Sequence, residues 1–274
     1  MSDGSRAFSS LFDMLETFDT PCPNCGAQLY RPKALSRVTG AKMAGACMAC
    51  GYKQPLTEGK AKKAPQMELE ARKNRTVGYY LKFSIFASAA TMAKDFHNFE
   101  TRTPEQKRLL FYGQGIANQI GQKKVVHGLL KGNAGVGKSH IANGILIRIQ
   151  KDSDYRMTTM FVDWQLLLSQ YKSGMSDGQA DVKAKVAATL DQMAKADVVV
   201  IDDLGSERDT DFNSDLANEI FRQREDKNTI ITTNLGGQEL RKRYGDRVIS
   251  RMSAHGEGNS IAIKGINDQR KQVN

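Results

Sequence analysis

The sequence holds no run of 18 apolar residues, the length a helix needs to cross a bilayer, so no membrane span is expected. Its first residues, Met1-Ser2-Asp3-Gly4-Ser5-Arg6, lack the apolar core of a secretory signal, and a cytoplasmic location is the expectation. Outside residues 22–50 there is no cysteine, so disulfides cannot hold the larger part of the chain together. A hydrophobic core must do so, and 274 residues are enough for one full core plus a small satellite domain. No internal repeat is visible. Acidic residues are the scarcer charge: 30 Asp and Glu stand against 40 Lys and Arg, for a net charge of +10 and a pI of about 9.4. That balance favours a polyanionic partner. It is spread along the chain rather than gathered in one tail.

The cysteines that are present form two C-x2-C pairs, Cys22/Cys25 and Cys47/Cys50, separated by residues 26–46. The gap is one residue longer than the usual four-cysteine zinc pattern. Gly26 and Gly51 follow the pairs and suit tight turns that aim backbone N–H groups at thiolate sulfur. Pro21 and Pro23 stiffen the first knuckle. Two disulfides are the alternative, which a cytosolic chain disfavours. Four thiolates would close the zinc shell and leave no position for a reactive water, so the metal is expected to be structural. Tyr30, Arg31, Lys33, Arg37 and Lys42 lie in the gap. They are either a nucleic-acid surface or a solvated face, and protein contact and DNA contact stand equal for this module.

Gly132-Asn133-Ala134-Gly135-Val136-Gly137-Lys138-Ser139 matches the phosphate-binding pattern G-x-x-x-x-G-K-[ST]. Its glycines let backbone N–H groups converge on phosphate, Lys138 adds a positive charge, Ser139 offers a hydroxyl to Mg2+, and the following helix points its N-terminus at the same place. A strand, residues 125–131, leads into the loop. A second motif, Asp197-Val198-Val199-Val200-Ile201-Asp202-Asp203, reads as a strand buried on both faces and ending in two carboxylates. Ligands collect at that end of a parallel sheet. Asp202 is placed to hold the magnesium, and Asp203 to polarise an attacking water, with Glu207 next in line as the base.

The remaining sequence alternates helix and strand, which implies a parallel sheet covered on both sides. Helices are expected at 104–121, 164–173, 181–195, 214–226 and 238–253, and strands at 158–163, 198–202, 229–233 and 260–264. Residues 53–75 read as a basic tether broken at Pro65, and residues 76–95 as an apolar helix. Residues 1–55 are thus expected to form the zinc module, 56–91 a basic linker and helix, and 92–274 the nucleotide-binding domain. Asn234, just past the strand Thr229–Thr233, is either a group that orients water against the terminal phosphate or a turn cap. Arg247 and Arg251, at i and i+4, are either surface cations or an arginine finger for a neighbouring subunit.

Five segments, taken in order, resemble the DnaC/DnaI replicative-helicase loaders, a phage and bacterial group of AAA+ ATPases. They are Asp95-Phe96-His97-Asn98-Phe99, the phosphate loop running into Ser139-His140-Ile141-Ala142, Val200-Ile201-Asp202-Asp203-Leu204-Gly205, Ile231-Thr232-Thr233-Asn234-Leu235, and Gly245-Asp246-Arg247-Val248-Ile249-Ser250-Arg251-Met252. The resemblance covers residues 92–274. It implies a sheet in the order 5-1-4-3-2, no helical lid domain, nucleotide contact by His140, a sensor role for Asn234, a finger at Arg251 or Arg247, and a late nucleotide-sensing arginine at Arg270. It also implies a zinc-bearing module that engages the helicase, and self-association into a hexamer or spiral. Asp203 stands where many AAA+ enzymes carry Glu, one methylene longer. Slow hydrolysis stimulated by DNA or a partner is therefore expected.

Three functions follow. One is an ATP-dependent loader that places a hexameric replicative helicase on single-stranded DNA. A second is an IstB-like ATPase that assists a transposase. The third, a zinc-dependent DNA-binding adaptor with a structural nucleotide site, is disfavoured by the intact Lys138, Ser139, Asp202 and Asn234.

Overall fold

A computed structural model describes residues 13–36, 40, 42–55, 64–175 and 180–263. The chain divides into two compact units, Met1–Glu68 and Leu69–Asn274.

The first unit contains a small antiparallel sheet of β1 (Leu15–Thr17), β2 (Leu29–Pro32) and β3 (Ala46–Cys47) in the order β1-β2-β3. Leu15 pairs with Pro32 and Leu29 with Cys47. Its core is three buried residues, Cys22, Leu29 and Cys47, packed with Phe18, Ala27 and Tyr52. So few apolar residues supply too little burial to hold a fold without a further staple. Three of the gap's cations are engaged locally, Lys33 by donating from Nζ to Asp13 O at 2.8 Å. Arg31 pairs with Glu16 and lies 4.3 Å above the Phe18 ring, while Lys42 Nζ reaches both Glu16 oxygens at 2.7 Å.

Residues 64–75 are not a tether. They begin α1 (Ala64–Phe83), a helix of 20 residues. Pro65 lies in its first turn, where a missing N–H costs no helical hydrogen bond, so it starts the helix rather than breaking it. The helix also stops earlier than the apolar spacing implied. After Phe83 the chain turns to the sheet edge, where Ile85 bridges Val162. A single helical turn, α2 (Ala89–Met92), follows, capped by Ser88.

The second unit is built on α3 (Pro104–Gly121), β4 (His127–Gly132), α4 (Lys138–Asp152), β5 (Thr159–Asp163), α5 (Trp164–Gly174), α6 (Ala180–Lys195), β6 (Val198–Asp202), α7 (Asp211–Gln223), β7 (Asn228–Thr233), α8 (Gly237–Ser253) and β8 (Ser260–Ile263). All five strands are parallel, in the order β5-β6-β7-β4-β8. Counted within the unit this is 5-1-4-3-2 read from the β8 edge, as the resemblance implied. The first strand lies between the fourth and fifth, so the phosphate loop leaves the sheet beside the end of β7.

All of β6 is buried. Val198 and Val200 join α3 and α4 on one face, and Val199 and Ile201 join α5, α6, α7 and α8 on the other. Two covered faces explain why this strand shows no polar alternation. Each such side chain contributes about 1.5–3 kcal/mol on burial. The N-terminus of α3 carries a reciprocal cap in which Thr103 accepts from Gln106 N and Thr103 N donates to the Gln106 side chain. Where helix 214–226 was expected, α7 starts three residues earlier, capped by Thr210. It ends at Gln223 because Arg224 turns inward, donating to the carbonyls of Met193, Ala196 and Asn228 and to Thr229 Oγ1.

Asn143 of α4 is wholly buried and carries several of the polar bonds that dock the segments before α3. Its Oδ1 accepts from Tyr80 of α1 at 2.6 Å, and its Nδ2 donates to Lys94 O at 2.7 Å and Met92 O at 3.2 Å. Asn143→Ala leaves these groups buried without partners and is expected to cost about 1–3 kcal/mol for each important group lost. A urea unfolding curve unchanged from the wild type would contradict this role.

Candidate nucleotide site and metal centre

The phosphate loop is held open by three left-handed glycines, Gly132 (φ 156°), Gly135 (φ 80°) and Gly137 (φ 96°). Two of them also lack room for a side chain. A Cβ on Gly132 would meet Ile263 O at 2.7 Å, and one on Gly137 would meet the Phe99 ring at 2.7 Å. Val136 is the loop's buried anchor. Asn133 and Ala134 form its outer turn, and Gly137 caps α4 without a side chain, leaving the helix N–H groups directed outward.

Lys138 folds across the loop. Its Nζ donates to Gly132 O and Asn133 O, both at 2.8 Å, and to Asn234 Oδ1 at 2.7 Å. Asn234 in turn donates from Nδ2 to Asp203 Oδ1 at 2.8 Å. The loop lysine, the amide after β7 and the second carboxylate after β6 thus form one chain of contacts. Asp203 sits at φ 57°, a left-handed conformation that Asp and Asn tolerate better than other side chains.

Asp202 is buried at the end of β6. Burial pushes its carboxyl up to about 6, against the hydroxyls of Thr232 and Ser139 that donate to it. Thr232 Oγ1 lies 2.6 Å from Asp202 Oδ1 and also accepts from Asp203 N at 2.9 Å. One β7 hydroxyl therefore sets the position of both acids. Ser139 and Asp202 face each other across the start of α4, a pair of oxygen donors that fits Mg2+. The sequence pattern alone does not mark Thr232 or Asp163 as part of the site. Asp163 ends β5 in register with Asp202, and its carboxyl is raised by burial and by the Asp203 charge. The signal was there in the form of a second strand closing on an aspartate.

His140 is directed to the preceding segment. Its Nε2 lies 2.8 Å from Asp95 O and 2.6 Å from Asn98 Oδ1, and its ring stands edge-on to Phe99 at 5.0 Å. Asp95 and Asn98 exchange side-chain to backbone bonds that close a tight turn. Phe96 from that turn fills the space over Gly144, where a Cβ would meet the ring at 2.4 Å. The first resemblance segment is therefore packing that braces the phosphate loop.

Arg247 is exposed on α8, past a break in the helix at Gly245 (φ 76°). Arg251 donates to Asn218 and lies 3.7 Å from Glu225, and its carbonyl bonds to His127 at 2.9 Å. His127 starts β4 and Gly132 ends it, a span of about 17 Å at strand rise. The structure therefore does not bring Arg251 to its own chain's phosphate loop. Arg270 lies outside the described residues. Glu207 is buried against α8 and is not presented to the loop as a base.

In the first unit, the sulfurs of Cys22, Cys25, Cys47 and Cys50 all lie within 4.8 Å of one another. Cys22 to Cys50 is 3.6 Å and Cys25 to Cys47 3.5 Å. Sulfurs about 2.3 Å from a tetrahedral zinc stand roughly 3.8 Å apart, and a disulfide needs about 2.05 Å. The two knuckles match: Gly26 N donates to Cys22 O and Gly51 N to Cys47 O, and both glycines are left-handed. The Tyr52 N–H and the Asn24 side chain lower Cys50 to about 6. The Ala27 N–H also lowers Cys25, but its sulfur neighbours outweigh it and push that thiol up to about 12. Four sulfurs this close cannot all ionise without a cation among them, so the donor set fits Zn2+.

Two predictions follow from these sites. Asp202→Asn removes a buried carboxylate whose pKa is raised from 3.8 to about 6, so its charge costs stability that grows as pH rises between those values, is full above about pH 6 and vanishes once both folded and unfolded chains are protonated. The variant is expected to gain up to about 3 kcal/mol at pH 8, to lose that gain by about pH 4, and to weaken magnesium-dependent nucleotide binding. Equal unfolding midpoints at pH 8 would contradict it. Metal analysis of protein purified under reducing conditions is expected to find one zinc per chain, and chelation should expose residues 1–55 to protease while the second unit stays resistant. Absence of zinc overturns the assignment.

The sequence pattern of the IstB-like ATP binding protein family matches residues 62–254, more than half of the chain, and leaves the cysteine pairs outside the match. YdaV, an uncharacterized protein of Escherichia coli strain K12, is 24% identical over 163 residues, 59% of this chain and 62% of YdaV, so the alignment spans less than two thirds of that relative. Among solved structures, the DnaC helicase loader is 26% identical with a TM-score of 0.53, covering 65% of this chain and 100% of that one. DnaI, at 20% identity and a TM-score of 0.52, covers 68% and 96% and shares the fold. With a glycine-rich phosphate loop, a buried acidic strand end and a 5-1-4-3-2 parallel sheet in place, the chain belongs to the IstB-like ATP binding protein family.

Proposed function

We propose that this chain is an ATPase that loads a replicative hexameric DNA helicase onto single-stranded DNA. The observation that carries this reading is the likeness to the DnaC helicase loader across the whole of that structure. The amides of residues 132–139 and of His140, together with Lys138, take the phosphates of ATP, with Arg270 completing the nucleotide contacts. Ser139 and Asp202 hold Mg2+, which when bound neutralises charge on the phosphates. Asp203 draws a proton from the attacking water, and Asn234, already bonded to Asp203, orients that water. Arg251 or Arg247 of a neighbouring copy supplies the second cation, which fits the distance between Arg251 and its own loop.

The chain works as an oligomer, a hexamer or spiral, in the cytoplasm. Residues 1–55 dock on a partner through a fold that zinc holds together, 56–91 connect, and 92–274 hydrolyse ATP. The net charge of +10 supports contact with DNA, with phosphate contacts that weaken as salt rises. The family match favours a second reading, an ATPase that assists a transposase. The test is to incubate the full chain and ATP with the host's hexameric helicase and circular single-stranded DNA, then isolate the DNA. Helicase retained on DNA only with hydrolysable ATP is the expected result. No retention, together with stimulated strand transfer by a transposase, would establish the second reading.

A further inference from the structure

The loop that follows Asp203 is tied to α8 by a buried charge cluster that the site's chemistry leaves unused. Glu207 has only 4% of its side chain exposed. Its Oε2 accepts from Gly205 N at 3.0 Å, and its Oε1 accepts from the Tyr244 hydroxyl and lies 3.3 Å from Arg243 Nε. Arg243 also donates to Gly205 O at 2.9 Å and to Glu207 O. On the other side of the loop, Gly205 (φ 96°) presses on Leu235, where a Cβ would meet the side chain at 2.4 Å. Leu235 is the neighbour of Asn234. The segment 203–207 is thus held between the residue after Asn234 and the two α8 residues that precede the break at Gly245.

A buried carboxylate is costly unless charge and hydrogen bonds compensate it, and removing one partner leaves the other exposed to that cost. A surface turn has no need of such a cluster. What it fixes is the loop whose first residue, Asp203, is held in a left-handed conformation. A carboxylate one methylene shorter than glutamate has less reach, so its position tolerates less error.

We infer that Glu207, braced by Arg243 and Tyr244, is a positioning residue that holds the Asp203 carboxylate in place for hydrolysis. The inference rests on the ATPase reading above. In this role Glu207 acts through the 203–205 backbone, which it holds at Gly205 N.

The test measures steady-state hydrolysis and ATP-analogue binding for the full chain, Glu207→Gln and Tyr244→Phe, with thermal melts alongside. Glu207→Gln keeps the shape and an acceptor and loses the charge that holds Arg243. It is expected to lower kcat about 10-fold or more while KM and analogue affinity stay within about twofold. Tyr244→Phe removes one donor, keeps the ion pair and the packing, and is expected to lower kcat about threefold. A cluster that only stabilised the fold would lower the melting temperature and leave the kcat of folded protein unchanged. That result in either variant overturns the inference, as does loss of analogue binding in a folded Tyr244→Phe. If the wild type itself turns over no ATP with DNA and partner present, the ATPase reading fails and takes this one with it. Turnover by the wild type with equal kcat in both variants removes only the brace.

Discussion

The constraint on which the rest depends is the burial of Asp202. A carboxylate at the end of a fully buried strand must be met by donors, and among the described residues two elements supply them: Thr232 on β7 and Ser139 at the start of α4. Thr232 reaches it because β7 is the neighbour of β6, and Ser139 because β4 is the neighbour of β7. The strand order is therefore part of the site. Swapping the positions of β4 and β8 would keep the same core but separate the loop from both acids.

On that base, Lys138, Asn234 and Asp203 are bonded in sequence. Each has a second possible partner once a nucleotide is bound: phosphate for Lys138, and the attacking water for the other two. ATP would compete for a preformed arrangement rather than assemble one, so its arrival changes what the amide and the carboxylate face. Under the proposed ATPase reading, the state of the site would be set by bound phosphate more than by turnover. The family match starts at residue 62, so the cysteine module is an addition to this core rather than part of it.

Much of this was legible in the sequence because its physics is local. The phosphate loop is defined by glycines at fixed offsets, and the buried strand by an uninterrupted β-branched run. The sheet order came from the resemblance. The cysteine pairs could be read because metal spacing is narrow. Residues 64–75 do not show as helix in the sequence because Pro65 signals a break only in a helix interior, and the sequence does not say where a helix begins. Glu207, a carboxylate near Asp203, looks available as a base in one dimension. Its capture by Arg243 and Tyr244, 36 and 37 residues downstream, appears only when α8 is folded against the loop. Thr232 and Asp163 were missed for a similar reason, since their roles come from register across strands.

We propose that one chain holds a nucleotide site that its neighbour completes. It is tested most directly by the rate of ATP hydrolysis per chain across a wide range of protein concentration, at saturating ATP and magnesium. The account predicts a specific activity that is near zero in dilute protein and rises to a plateau as chains associate. A specific activity that is constant from the dilute to the concentrated end would show that the site is complete within a single chain.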